Sequence, residues 1–224
     1  MGLATGASGL VVTLMVIHLL ASMIVAEMKN LRSAVYALVL QSLTLCFVIL
    51  LLGWGNGWMV AWFFWAVATK VFFLPWLFLR TMRVLPQREE APITGGWVSF
   101  AVVAASVLVI YQLLHTYLAT LVPTMATAAE PTRSSLAMAF TIFVLGIYVC
   151  VARRDLVKVI IGVVLLENGA HLALISLVPG RAETAILGIA TNIALSAWLL
   201  LYFGQVMYKV LGTTDTLKLS ELKR

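Results

Sequence analysis

Apolar residues in this chain neither alternate nor keep to one face; they run on in long blocks broken by short polar stretches. Seven blocks approach the ~20 residues that a helix needs to cross a ~30 Å hydrocarbon core. They cover about 9–27, 33–53, 57–79, 97–122, 135–152, 156–178 and 184–210. Inside a bilayer each backbone N–H and C=O has to be satisfied within the protein, so such blocks form helices. The short alternating segments of a membrane barrel are missing. The pattern predicts an all-α integral membrane protein with seven transmembrane helices.

Composition agrees. Of 224 residues, 62% are hydrophobic and 11% charged, and the mean hydropathy is +1.05. A soluble domain is excluded by those values. The longest polar stretch, Arg80 to Thr94, reads as a loop and is too short to bury a core of its own. With Pro86, Pro92 and the pair Glu89-Glu90, the segment 83–96 is the best boundary. It is expected to be a cytoplasmic loop between a three-helix unit at 1–82 and a four-helix unit at 97–224. Met1 to Gly9 lacks the basic start of a cleavable signal, so the first block is expected to remain as a span.

The net charge of +6 changes the picture only through its distribution. One side of the predicted membrane holds Lys29, Arg32, Arg80, Arg83, Arg88, Arg153, Arg154, Lys158, Lys209, Lys218, Lys223 and Arg224. The other holds Arg133 and Arg181, and Lys70 stays inside a span. Basic residues gather on the cytoplasmic side, which puts the N-terminus outside and the C-terminus in the cytoplasm. The same distribution argues against a nucleic-acid partner. Gly53-Trp-Gly-Asn-Gly57 reads as a tight outside turn with Trp54 and Trp58 as interface anchors. The tail from Thr213, with Leu217, Leu219 and Leu222 among charges, either lies along the membrane face, meets a partner, or is solvated.

Candidate chemistry centres on Arg153-Arg154-Asp155 to Glu167-Asn168-Gly169-Ala170-His171. About 12 residues into this stretch, at ~1.5 Å per residue, Glu167 lies ~18 Å deep, near the middle of a bilayer. A carboxylate there is costly and by default marks an ion or proton path. His171 follows at i+4 on the same helix face. Lys70 in span 3 and Asn192 in span 7 fall at similar depth. Glu167 and Lys70 are expected as a central relay, with His171 and Asn192 secondary. The structural alternative is an ion pair that only holds helices together. For His171 a packing role stands beside the relay role. Lys158 and Asp155 are candidate cytoplasmic access points, although snorkelling explains Lys158 equally well. Gln41 reads as interhelical glue. His18 and His115 have no acidic partner visible in the sequence and read as structural. Cys46 and Cys150 read as small buried hydrophobes. Pro75, five residues past Lys70, is expected to kink span 3 or free a carbonyl.

A short internal echo pairs Val67-Ala68-Thr69-Lys70 with Ile189-Ala190-Thr191-Asn192, and Gln41-Ser42 with Glu167-Asn168. There is no glycine-rich phosphate loop, zinc-type His/Cys cluster or serine nucleophile motif. No catalytic residue, metal site or cofactor is expected on this chain.

The run RRDLVKVIIGVVLLENGAHLALISL, then GIATN, then the tail TTDTLKLSELKR, resembles the component E family of hydrogenase-4-type complexes. Upstream, ATKVFFLPWLFL followed by LPQ looks like span 3 of the same family. The last three spans are also similar to the K subunit of respiratory complex I and the C subunit of Mrp antiporters. The resemblance implies a multi-pass subunit in a prokaryotic inner membrane, beside large antiporter-like subunits. Nickel–iron and iron–sulfur clusters would sit on partner subunits, and proton or sodium movement would be coupled to their electron transfer. Glu167 matches the family's second-helix acid, which in complex I stands about one turn earlier, at the position of Val164. Asn192 replaces an acid of the family, so one ionisable station is missing. The rival readings are a cation/proton antiporter assembly without a redox arm, and a structural bridge between antiporter-like subunits.

Overall fold

The computed structural model describes residues 5–85, 96–121, 123, 130, 132–177 and 185–216. All regular elements among them are helices: α1 (Thr5–Glu27), α2 (Leu31–Leu52), α3 (Gly57–Thr81), α4 (Gly96–Leu121), α5 (Thr132–Ala152), α6 (Leu156–Leu177) and α7 (Ala185–Leu211). All seven contain a stretch long and apolar enough to cross a membrane. Most of the predicted loop 83–96, and Leu217, Leu219 and Leu222 of the tail, lie outside the described residues.

Helix starts are set by side-chain oxygens that take up orphan N–H groups. Asn30 Oδ1 accepts from Arg32 N and Ser33 N, and Asn56 Oδ1 accepts from Trp58 N. Between α2 and α3 the chain turns at Gly55, whose φ of 89° suits a residue without Cβ.

α3 is not uniform. Gly57–Ala66 and Leu74–Thr81 are α-helical, and Val67–Phe73 between them is a wide π-helical segment. Pro75 has no N–H to give to the carbonyl four residues back. One residue earlier, Leu74 N–H reaches Thr69 O, five residues back. The expected disturbance around Pro75 therefore takes the form of a π segment, and Lys70 stands inside it.

α5 and α6 form the tightest pair because glycines let their backbones meet. A Cβ on Gly146 would lie 2.5 Å from Leu166 N, and one on Gly169 would lie 2.7 Å from Phe143 N. α1 packs along α2 and against α5, α4 lies outside on α5, and α7 leans on α6 and the second half of α3.

Two apolar clusters fill the bundle. One, with Met15, Leu45, Ile49, Met59, Trp62 and Ile175, lies toward the α2–α3 turn. The other, with Val35, Leu38, Phe78, Ile161, Val164 and Leu165, lies toward the α1–α2 loop. A polar layer separates them. It draws on helices from both of the predicted units.

Candidate functional site

Lys70 is the centre of the polar layer and is 1% exposed. Its Nζ donates to Glu167 Oε2 at 2.7 Å and Asn168 Oδ1 at 2.5 Å, and lies 2.6 Å from His171 Nδ1. An ammonium has three donors and no acceptor, so each N–H meets one acceptor here. All three partners come from one stretch of α6. Residues 167 and 171 share a face, and 168 is turned about 100° to the side, which gives a cup around one cation.

With Lys70 charged, His171 accepts at Nδ1 and carries its proton on Nε2. Nε2 has no hydrogen-bond partner among the described residues. Glu167 Oε1 lies 3.1 Å from His171 Nδ1 and accepts no hydrogen bond among the described residues. A proton on Nδ1 would instead point at Oε1. The triad thus offers two proton arrangements over the same heavy atoms. Trp62 closes one side, its ring centroid 5.6 Å from that of His171 at 82°. The Glu167 side chain keeps 14% exposure, whereas that of Lys70 keeps none.

The layer continues across the bundle. Asn168 Nδ2 donates to Gln41 Oε1 at 2.6 Å. Gln41 Nε2 lies 3.1 Å from His18 Nε2 and donates to Ser22 Oγ at 3.2 Å. His18 Nδ1 lies 2.7 Å from Gln41 O, so it donates there, and Nε2 is left to accept from Gln41. Six side chains on four helices therefore make one hydrogen-bonded chain, from Glu167 and His171 through Lys70, Asn168 and Gln41 to His18.

Sequence reasoning placed Glu167, Lys70 and His171 as candidates, and the structure brings these three together. It overlooked Asn168 and took Gln41 and His18 as structural. Depth was the available signal, since His18 and Gln41 stand as close to the middle of their helices as Lys70 does. The echo of Gln41-Ser42 with Glu167-Asn168 marks two pairs that meet: Asn168 Nδ2 also lies 3.5 Å from Ser42 Oγ.

Asn192 stands apart. It is exposed on α7, and its Oδ1 accepts from Ser196 Oγ at 3.4 Å. Lys158 and Asp155 lie in a second polar group at the N-terminal end of α6. Lys158 does not snorkel outward. It is fully buried, and its Nζ donates to Val25 O at 2.7 Å and Met28 O at 2.6 Å, capping the end of α1. Asp155 Oδ1 accepts from Val157 N and Lys158 N, and Oδ2 accepts from Thr214 Oγ1 at 2.5 Å. Burial raises the Asp155 carboxyl above its ordinary value, against the opposing pull of those hydrogen bonds. Leu156 N–H to Thr214 O and Thr216 N–H to Arg154 O fasten the tail to the α5–α6 loop. Arg153 and Glu27 join the same group through a 2.6 Å ion pair. Nine residues, ~13.5 Å of helix, separate Lys158 from Glu167, and the intervening Ile161, Val164 and Leu165 are fully buried.

His115 stands on α4. Its Nε2 lies 2.8 Å from Glu130 Oε1, an acidic partner that the sequence did not reveal. Burial works to raise the Glu130 carboxyl, but hydrogen bonds from Ser134 and His115 outweigh it, and the net shift is downward. Cys46 and Cys150 are both free, Cys46 buried and Cys150 half-buried. Among the described residues no group of three His, Cys, Asp or Glu is placed to hold a metal ion.

Seven spanning helices around a buried lysine–carboxylate cluster define a multi-pass membrane protein with an intramembrane charged site. Residues 134–224 match the family NADH-ubiquinone/plastoquinone oxidoreductase chain 4L. The chain is 27% identical to hydrogenase-4 component E of Escherichia coli strain K12 over 207 residues, 92% of this chain and 93% of that protein. The proteins of the same name from Escherichia coli O157:H7 and Shigella flexneri match to the same extent. No solved structure gives a significant match. The resemblance read from the sequence holds: the chain is a homologue of hydrogenase-4 component E over nearly its whole length, with a chain 4L-like region at its C-terminal end.

Proposed function

We propose that this chain is a non-catalytic membrane-arm subunit of a complex I-like, hydrogenase-4-type complex. In this reading its buried charged cluster moves protons, or gates their movement, while partner subunits transfer electrons. The similarity to hydrogenase-4 component E and to chain 4L supports the setting. The observation that carries the task is the Lys70 ammonium, held at mid-depth by Glu167, Asn168 and His171. An ionisable pair inside a membrane bundle is costly, and such pairs characteristically mark ion paths.

The chemistry is a short shuttle. A proton passing from Lys70 Nζ to Glu167 Oε2 leaves an amine and a carboxylic acid. Glu167, whose side chain keeps 14% exposure, would then turn its carboxyl away from the amine and release that proton. The amine then takes up a proton arriving through His171. Lys70 already fills the place beside the carboxylate that a sodium ion would need, which favours protons as the coupled ion.

The N-terminus would lie outside and the C-terminus in the cytoplasm, in keeping with the basic residues gathered at one end. Large antiporter-like subunits would flank the chain, and the nickel–iron and iron–sulfur centres would belong to partners. Asp155 and Lys158 would mark the cytoplasmic access side. Asn192, exposed on α7, would face a neighbour.

The test compares wild type with Glu167→Gln in the intact complex in sealed vesicles, following redox-driven proton translocation and redox turnover together. Loss of translocation with assembly preserved is the expected result. Unchanged translocation and turnover would instead leave the chain as a structural bridge. Copurifying ion-translocating subunits without any iron–sulfur or nickel protein would point to an antiporter assembly.

A further inference from the structure

A groove of about 470 Å3 runs between the second half of α3 and α7. Phe73 and Trp76 wall it on one side, Trp198 and Tyr202 on the other. Along α3 it extends from Phe73 to Arg80, ~10 Å at the helical rise. It starts where the π segment ends and finishes at the end of the bundle that carries Arg153 and Lys209. There Gln205 Nε2 donates to Thr81 Oγ1 at 3.1 Å and ties the two helices together. The Arg80 guanidinium carbon lies 5.2 Å from the Trp76 ring centroid, which fixes the cation over the aromatic wall. Arg80 is exposed, and no carboxylate among the described residues pairs with it.

We infer that this groove holds one anionic phospholipid, with an acyl chain between the aromatic walls and the phosphate on Arg80. Three features select that occupant. The groove's ~10 Å along α3 is only about a third of the ~30 Å hydrocarbon core, on one side of mid-depth, which suits part of an acyl chain rather than a spanning helix of a partner. Its polar groups stand together at the headgroup end. The one charge there is positive, and basic pockets between membrane helices on the cytoplasmic side hold anionic headgroups.

The test uses the purified full chain and native mass spectrometry, with phosphatidylglycerol and phosphatidylcholine of matched acyl chains. Phosphatidylglycerol should bind with a preference of roughly fivefold, the scale set by one arginine near a headgroup. Arg80→Gln should abolish the preference. Ala194→Phe, which fills the groove, should remove the bound lipid of either kind, and Arg83→Gln, outside the groove, should leave binding unchanged. A photo-crosslinking residue at Trp198 in the intact complex should label lipid. Equal binding of the two lipids, an unaltered preference in Arg80→Gln, or crosslinking to a partner protein would each overturn the inference. Thermal unfolding of each variant separates a lost site from a lost fold.

Discussion

Asn168 Nδ2 donates to Gln41 Oε1 at 2.6 Å, a bond between residues 127 positions apart that joins α6 to α2 at mid-depth. Both amides are buried, and both are otherwise engaged, Asn168 with Lys70 and Gln41 with His18. Removing one amide leaves the other with an unpaired polar group, at about 1–3 kcal/mol. Gln41→Leu and Asn168→Leu should each destabilise the chain by that order, and the double variant should cost less than the two singles together. Unfolding of the three variants in detergent or bicelles checks this.

Lys70→Met removes the cation from beside the Glu167 carboxylate. Breaking a buried pair at one partner costs roughly 3–5 kcal/mol, because the remaining charge is uncompensated. The expected outcome is poor assembly of Lys70→Met into its complex. Adding Glu167→Gln should restore assembly, since no charge is then stranded, while proton translocation stays lost. Quantifying the chain in purified complexes, beside vesicle acidification, separates the two effects. Recovery of translocation in the double variant would contradict the relay.

Lys158 caps the last carbonyls of α1 from a position on α6. A cation at a partly buried helix C-terminus contributes up to ~2 kcal/mol. Lys158→Met should lower stability by about that amount and speed hydrogen exchange in the last turn of α1. Translocation that falls while α1 stays protected would identify Lys158 as part of the proton route.

Asp155 gives a dependence on pH with a definite sign. Its folded carboxyl titrates above the ordinary carboxylate range, so the folded chain binds its proton more tightly than the unfolded chain does. Its contribution to stability is therefore greatest below pH ~4 and declines as pH rises through the raised value. Asp155→Asn keeps a capping oxygen and removes the charge, so it should hold stability at neutral pH and flatten this dependence. Asp155→Ala loses the cap at about 1 kcal/mol and loosens the tail at Thr214. Glu130 has the opposite sign. Its lowered carboxyl contributes above the ordinary value, and that contribution disappears as pH falls. Unfolding curves between pH 3 and 8 on these variants follow both groups (the range brackets ordinary carboxylate and histidine values, roughly 4 and 6.5).

Helix number and most helix limits were legible because hydropathy over some twenty residues is a strong, local signal. Glu167, Lys70 and His171 stood out for a related reason, as ionisable groups deep in apolar blocks. Asn168, Gln41 and His18 were harder to recognise. A neutral amide or imidazole inside a span is compatible with packing alone, and only contact between distant helices shows that these form one chain. Lys158 lay where a side chain reaches water equally well, so only the proximity of the α1 terminus identified it as a cap. The His115–Glu130 pair was hidden by a loop whose path the sequence does not state. The π segment was half visible, since Pro75 announced a disturbance without its form.

The glycine seam between α5 and α6 bears on which helix of the Lys70–Glu167 pair can yield. With Gly146 and Gly169 against the facing backbone, α6 has no room to turn without driving main-chain atoms into each other. α3 has slack instead, a widened turn around the lysine itself. In mechanical terms α6 is the stator and α3 the compliant arm. Any backbone movement that changes the 2.7 Å separation of ammonium and carboxylate falls to the lysine's side, within a segment that ends where the aromatic groove begins.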